Sequence, residues 1–297
     1  MIRSTEQAAQ QVVVHAAYKA GSNTIETNGI QLRYLEFAGD KPTIFLMHGL
    51  TANAHAFDGL IAEGLSPAFN VISIDLRGRG ESDQPQTYTL ADHAADIIGI
   101  LDKLQIQKAI IGGHSFGGLL TFYLAKHFPE RIEKMLLMDA AARMHENTKE
   151  MLGPALSRLG QTFPSFDYYI NKVKSAPYLD FWVDEMLSYY KADVKVNEDG
   201  TVTCIPQPMH MAMAVNGVLA EPIIEYMQTV EQPAILINGP GFYTMGAALL
   251  PKENAFETAN MMKNCKYVKV PGNHQTMLYG DGAKAIVKAI KEFLKPV

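Results

Sequence analysis

Gly113-His114-Ser115-Phe116-Gly117 follows the apolar run Ala109–Ile111 and leads directly into a helical pattern. In that setting the G-x-S-x-G spacing puts the serine on a sharp strand-to-helix bend. Crowding at such a bend admits only small neighbours, and Gly113 and Gly117 meet that need. The bend exposes the Ser115 hydroxyl, and the next helix aims its first N–H groups at any negative charge that develops there. The chemistry this suits is nucleophilic attack by the serine. An idle serine in a glycine-rich turn is the bland alternative.

The elements that must hold Ser115 recur along the chain. Short apolar runs at Gln31–Phe37, Thr43–Met47, Val71–Ile74, Ala109–Ile111, Met135–Met138, Ala234–Ile237 and Tyr267–Val270 read as strands. Helical patterns at Leu90–Leu104, Phe116–His127, Glu253–Met262 and Gly282–Leu294 fit between them. Alternation of this kind predicts an α/β fold with a doubly wound, mostly parallel sheet. Residues 143–228 break the rhythm with aromatics and methionines but no convincing buried strand, and read as a helical cap insertion. The core is then 23–142 plus 229–297, and residues 1–22 form a helical extension ended by Gly21. That extension packs on the body or on a second subunit of a homodimer.

Composition narrows the function. The 297 residues are 47% hydrophobic and 19% charged, with a formal charge of −5. No basic block favours nucleic acid. No apolar stretch approaches the ~20 residues of a membrane span, and the N-terminus lacks a leader-like apolar region. Cys204 and Cys265 show neither metal spacing nor a disulfide framework, so they read as unpaired thiols of a cytoplasmic protein. The histidines outside the motifs form no metal-binding cluster, so no metal or organic cofactor is expected.

Taken together, AIIGGHSFGG (109–118), TIFLMHGLTANAHAF (43–57) and IDLRGRGESD (74–83) resemble the α/β-hydrolase fold family. The resemblance spans about 23–142 and 229–297. It implies that Leu50, after His48-Gly49, and Phe116, after Ser115, donate the oxyanion-hole N–H groups. His48 and His114 are read as structural, and Arg77, Arg79 and Ser82 as braces of their own loop. VKVPGNHQTML (268–278) puts His274 where the family keeps its catalytic imidazole.

The orienting acid departs from the family's usual place. ILINGPGFYTMG (235–246) has Phe242 at the position of that carboxylate, and no Asp or Glu occurs from Gln232 to Lys252. Asp139, ending the neighbouring strand in EKMLLMDAAARM, is the alternative, as in family members that use this strand end. Adjacent strands lie about 4.8 Å apart, so an acid one strand over still reaches the imidazole. A plain capping role for Asp139 is the competing account.

The resemblance implies a serine hydrolase that cleaves a carboxylic ester or related acyl bond through an acyl-enzyme, with a Ser115-His274-Asp139 triad. An aspartate at the bend would have implied alkyl transfer instead. Amide, lactone or C–C bond hydrolysis stays open, as does a non-catalytic small-ligand receptor. Its partner is a small, partly apolar substrate. Thr51, Phe242, Tyr243 and the cap residue Trp182 are the candidate substrate contacts, with Asn53 beside Thr51. Arg143 and Arg158 are read as solvated rather than as partners of a substrate carboxylate.

Overall fold

Runs of apolar residues closed by turns suit strands covered on both faces, and such strands form the centre of this molecule. The computed structural model describes residues 20–295. In chain order the strands of the main sheet begin with β1 (Gly21–Thr27), β2 (Ile30–Phe37), β3 (Thr43–Met47) and β4 (Asn70–Ile74). They continue with β5 (Ala109–His114) and β6 (Ile132–Met138). A small antiparallel sheet of β7 (Thr162–Phe163), β8 (Val194–Val196) and β9 (Val202–Cys204) intervenes. The main sheet then resumes with β10 (Ala234–Asn238) and β11 (Cys265–Lys269).

The main sheet has eight strands in the order β1-β2-β4-β3-β5-β6-β10-β11. The pairs β1–β2 and β2–β4 are antiparallel, and from β4 onward every pairing is parallel. Every residue of β5 and β10 is buried. Side chains alternate across the sheet. Phe45 and Met47 therefore enter one apolar cluster while Ile44 and Leu46 enter the other. The helix Leu90–Lys103, opened by a Thr89–Asp92 capping box, and the helix Phe116–His127 cover the first face. The helix Gly280–Leu294 covers the second.

Two expectations need correction. Residues 1–19 of the expected N-terminal helix lie outside the described residues, but Gly21 and Ser22 belong to β1, an edge strand paired with β2. The sequence GSNTIET is largely exposed, so it lacks the apolar signature of the other strands. The interval between β6 and β10 is not purely helical either. It holds helices including Phe166–Lys174, Glu185–Lys191 and Pro208–Leu219, together with the β7-β9-β8 sheet. Strands of two or three residues are too short to leave a readable alternation.

This interval is tied over the carboxyl ends of the strands by polar contacts. Asn53 Nδ2 donates to the Tyr189 carbonyl at 2.9 Å, and Asn273 Nδ2 to the Tyr178 carbonyl at 3.0 Å. Arg158 Nη2 donates to the Thr51 carbonyl at 3.1 Å. No helix among the described residues is long and apolar enough to cross a membrane.

Candidate active site

The β5 bend is built by close backbone approach. A Cβ on Gly117 would lie 2.0 Å from the Met47 carbonyl oxygen, and one on Gly113 2.2 Å from the Gly117 carbonyl carbon. Ser115 itself sits at φ 53°, ψ −116°, left-handed backbone that non-glycine residues seldom adopt. Since two main chains meet at Gly117, neither can yield cheaply. Gly117→Ala is expected to cost about 3 kcal/mol or more, read as a lowered urea midpoint or loss of soluble protein. An unchanged midpoint would mean that β3 and the helix can part without penalty.

Asp139 ends β6, fully buried and at φ 49°. Its Oδ2 lies 2.7 Å from His274 Nδ1. Its Oδ1 accepts from Asn238 Nδ2 at 2.8 Å and from the Gly239 N–H at 3.0 Å. A carboxylate only accepts, so His274 Nδ1 carries a hydrogen, and in the neutral ring Nε2 keeps the lone pair. The end of β10, where the family's usual acid is missing, thus contributes two donors to the acid of β6. Ser115 and His274 line one pocket, and Ser115 Oγ has no hydrogen-bond partner among the described residues. Such contacts often tighten only once substrate is bound.

Two other histidines fix backbone. His114 Nε2 bonds the His274 carbonyl at 2.7 Å, and the two rings lie 4.5 Å apart. His48 Nδ1 bonds the Gly49 carbonyl at 2.7 Å while its Nε2 accepts the Leu76 N–H at 3.0 Å. Burial pulls both imidazoles down, His48 to about 3 and His114 well below its usual value, so both stay neutral. In the 74–83 loop, Arg77 forks onto Asp96 with both contacts at 2.7 Å, and Ser82 Oγ donates to the Asp75 carbonyl at 2.6 Å.

Beyond His48, the carbonyls of the loop after β3 are held by arginines. The Leu50 carbonyl accepts from Arg79 Nε at 2.9 Å and the Thr51 carbonyl from Arg158 Nη2 at 3.1 Å. Because a trans peptide points its N–H opposite the C=O of the preceding residue, these bonds also set where the N–H groups of Thr51 and Ala52 aim. The Leu50 N–H is set by the Gly49 carbonyl, held by His48 Nδ1 and the Ala52 N–H. The N–H groups of Leu50 and Thr51 have no partner among the described residues.

The pocket lies between this loop, the β5 bend and the interval above. Thr51 and Tyr243 line it; Trp182 and Phe242 do not. Trp182 stacks on Tyr190 and sits under Lys174, while Phe242 is 76% exposed. The backbone explains the Phe242 miss. Asn273 Nδ2 holds its carbonyl at 2.9 Å, and the adjacent Tyr243 takes the inward position. Asn53 is also corrected: its side chain is used by the His55 N–H and the Tyr189 carbonyl.

Sequence reasoning missed Tyr178, Tyr189, Tyr190 and Arg158 as lining residues. Burial raises the pKa of all three tyrosines, so they remain neutral phenols. Arg143 is exposed as expected, but Arg158 is only 6% exposed. Its Nε lies 2.8 Å from Asp193 Oδ2, and the same carboxylate accepts from the Tyr169 hydroxyl. Burial alone would pull Arg158 down, but Asp193 carries it well above its usual value. No local signal marks this arginine, because its partner lies 35 positions away. Asp193→Asn would leave a buried guanidinium unpaired, an expected loss of about 3 kcal/mol by thermal or urea melting. Asp199→Asn on the exposed turn is the control; equal melting of the two variants would refute a stabilising pair.

No group of three or more potential metal ligands occurs among the described residues, and both cysteines are free thiols.

Sheet order, bend and pocket define a class, and comparison with known proteins agrees. Residues 42–201 match the model of the alpha/beta hydrolase fold, and the chain belongs to the α/β-hydrolase fold family. It is 25% identical over 256 residues to 2-(acetamidomethylene)succinate hydrolase of Mesorhizobium japonicum, covering 84% of this chain and 87% of that one. A solved structure of E-2-(acetamidomethylene)succinate hydrolase superposes with a TM-score of 0.81 at 23% identity, over 93% of this chain and 99% of the other. Epoxide hydrolase 3 of Siraitia grosvenorii is 31% identical over 116 residues, 38% of this chain and 36% of its own length.

Proposed function

We propose that the protein is a serine hydrolase of small, neutral acyl substrates, with Ser115 as nucleophile, His274 as general base and acid, and Asp139 as orienting carboxylate. The observation that carries this is the 2.7 Å contact of Asp139 with His274 at the pocket that Ser115 also lines. Ser115 Oγ attacks the substrate carbonyl as its proton passes to His274 Nε2. The N–H groups of Leu50 and Phe116 take the oxyanion. Collapse breaks the bond to the leaving group, which receives the proton from His274. Water then repeats the sequence on the acyl-serine, releasing the acid and restoring Ser115. Residues 143–228 act as the cap that closes the pocket.

The lining supports the substrate class. Arg158 is the one arginine or lysine on the wall among the described residues, and Asp193 already neutralises it. The tyrosines add flat apolar area with polar tips. Neutral aromatic or short acyl esters therefore fit better than dianions. A second reading, amide hydrolysis, is favoured by the similarity to 2-(acetamidomethylene)succinate hydrolase.

The test is a fluorophosphonate probe followed by intact-mass measurement, with Ser115→Ala alongside. One adduct on the wild type and none on the variant is expected. A wild type that stays unlabelled would favour the ligand-receptor reading. A panel of esters and amides with neutral or anionic acyl groups then checks the class, and faster turnover of the anionic members would refute it.

A further inference from the structure

Four arginines are buried in the described residues, Arg33, Arg77, Arg79 and Arg158. Arg33 pairs with Asp75 at 3.1 Å, Arg77 with Asp96 at 2.7 Å and Arg158 with Asp193 at 2.8 Å. Arg79, with no exposed surface, has no carboxylate partner among the described residues. A buried cation without a counter-charge is costly, and proteins usually pair or neutralise one. Arg79 is held by other means. Its Nη1 donates to the Arg77 carbonyl at 2.6 Å and to His93 Nε2 at 3.0 Å. His93 Nδ1 is committed to the Thr89 carbonyl at 2.7 Å, which leaves Nε2 as the acceptor and the ring neutral. The guanidinium lies 5.3 Å from the Phe116 ring centre and 5.9 Å from that of Tyr88. Nη2 has no partner.

The same guanidinium therefore touches both residues whose N–H groups form the oxyanion hole: Leu50 through its carbonyl, at 2.9 Å from Nε, and Phe116 through its ring. We propose that Arg79 is a positioning residue for the transition state: it fixes the peptide that follows Leu50 in the oxyanion loop by holding the Leu50 carbonyl, and its unneutralised charge favours the negative charge that develops there. This rests on the serine-hydrolase reading above. A positive charge kept dry and unpaired acts more strongly than one in water. It also costs no rearrangement during the reaction. Neutralising it with a carboxylate, as at the other three buried arginines, would cancel that effect. Burial lowers the guanidinium to about 9, which still leaves it charged at neutral pH.

The experiment compares Arg79→Lys, which keeps the charge, with Arg79→Gln, which keeps a donor and loses the charge. Turnover of a p-nitrophenyl ester and inhibition by a boronic acid, whose adduct with serine is an anionic tetrahedron, are both measured. Arg79→Gln should lower kcat on the order of a hundredfold with KM nearly unchanged, the pattern of an interaction made only in the transition state. Boronate affinity should fall in step, and Arg79→Lys should restore most of both. Should Arg79→Gln fail to fold, Arg79→Met, which leaves no polar head to desolvate, replaces it in the same comparison. Equal losses in the charged and uncharged variants would reduce Arg79 to steric support and overturn the proposal. So would a wild type that speeds up when chloride is exchanged for gluconate, since an anion would then already neutralise the group. Fluorophosphonate labelling of the wild type separates the two readings: without an adduct, the hydrolase reading itself fails.

Discussion

With the proposed triad, Asp139→Asn is expected to lower the turnover of a p-nitrophenyl ester by about 10⁴-fold while the fold persists. Hydrogen-bond direction is the reason. Asp139 Oδ1 accepts two donors, Asn238 Nδ2 and the Gly239 N–H, whereas Oδ2 faces one, His274 Nδ1. An asparagine must turn its single oxygen to one side. Facing it toward the two donors satisfies both and points the amide hydrogens at the imidazole. His274 then answers by moving its hydrogen from Nδ1 to Nε2, the nitrogen that the proposed mechanism needs as acceptor of the serine proton. The substitution is isosteric, so little stability should be lost. Steady-state kinetics with a melting curve on the same sample checks this. Full activity in a folded variant would make Asp139 a strand-end cap and leave the imidazole without an acid. Replacing Asn238 should act in the same direction but more weakly, because the Gly239 N–H remains to hold Oδ1.

The second large effect is at Ser115, where activity and stability should move in opposite directions. Ser115→Ala removes the proposed nucleophile and should cost about 10⁶ in kcat, the scale at which only binding and the oxyanion site remain. Ser115→Gly should be equally inactive, yet more stable than the wild type. The backbone there, φ 53° and ψ −116°, is one that only glycine adopts freely. Strain of this kind is worth about 1–3 kcal/mol. Glycine also gains freedom in the unfolded chain, which returns part of that benefit. A rise of a few degrees in melting temperature for Ser115→Gly, absent in Ser115→Ala, is the expected result. If both variants melt together with the wild type, the bend is not strained.

Local residue types carried a large share of this protein. The alternation of apolar runs and helical patterns specified a parallel sheet, since strands buried on both faces must be continuously apolar. The flanking glycines marked the bend at Ser115, because no Cβ fits where two main chains touch. The missing acid after β10 was itself legible and pointed one strand over to Asp139. What the sequence could not display was whatever depends on partners far apart in the chain. Arg158 looked solvated until folding brought Asp193 to it, and Trp182 and Phe242 looked like pocket residues until packing turned them away. The same limit hid β1, a polar edge strand, and β7 to β9, too brief for any periodicity. Which carbonyls Arg79 and Arg158 hold, and therefore where the N–H groups of Thr51 and Ala52 point, is decided by tertiary contacts alone. A periodic pattern records which face of an element is apolar, but only packing selects what that face meets.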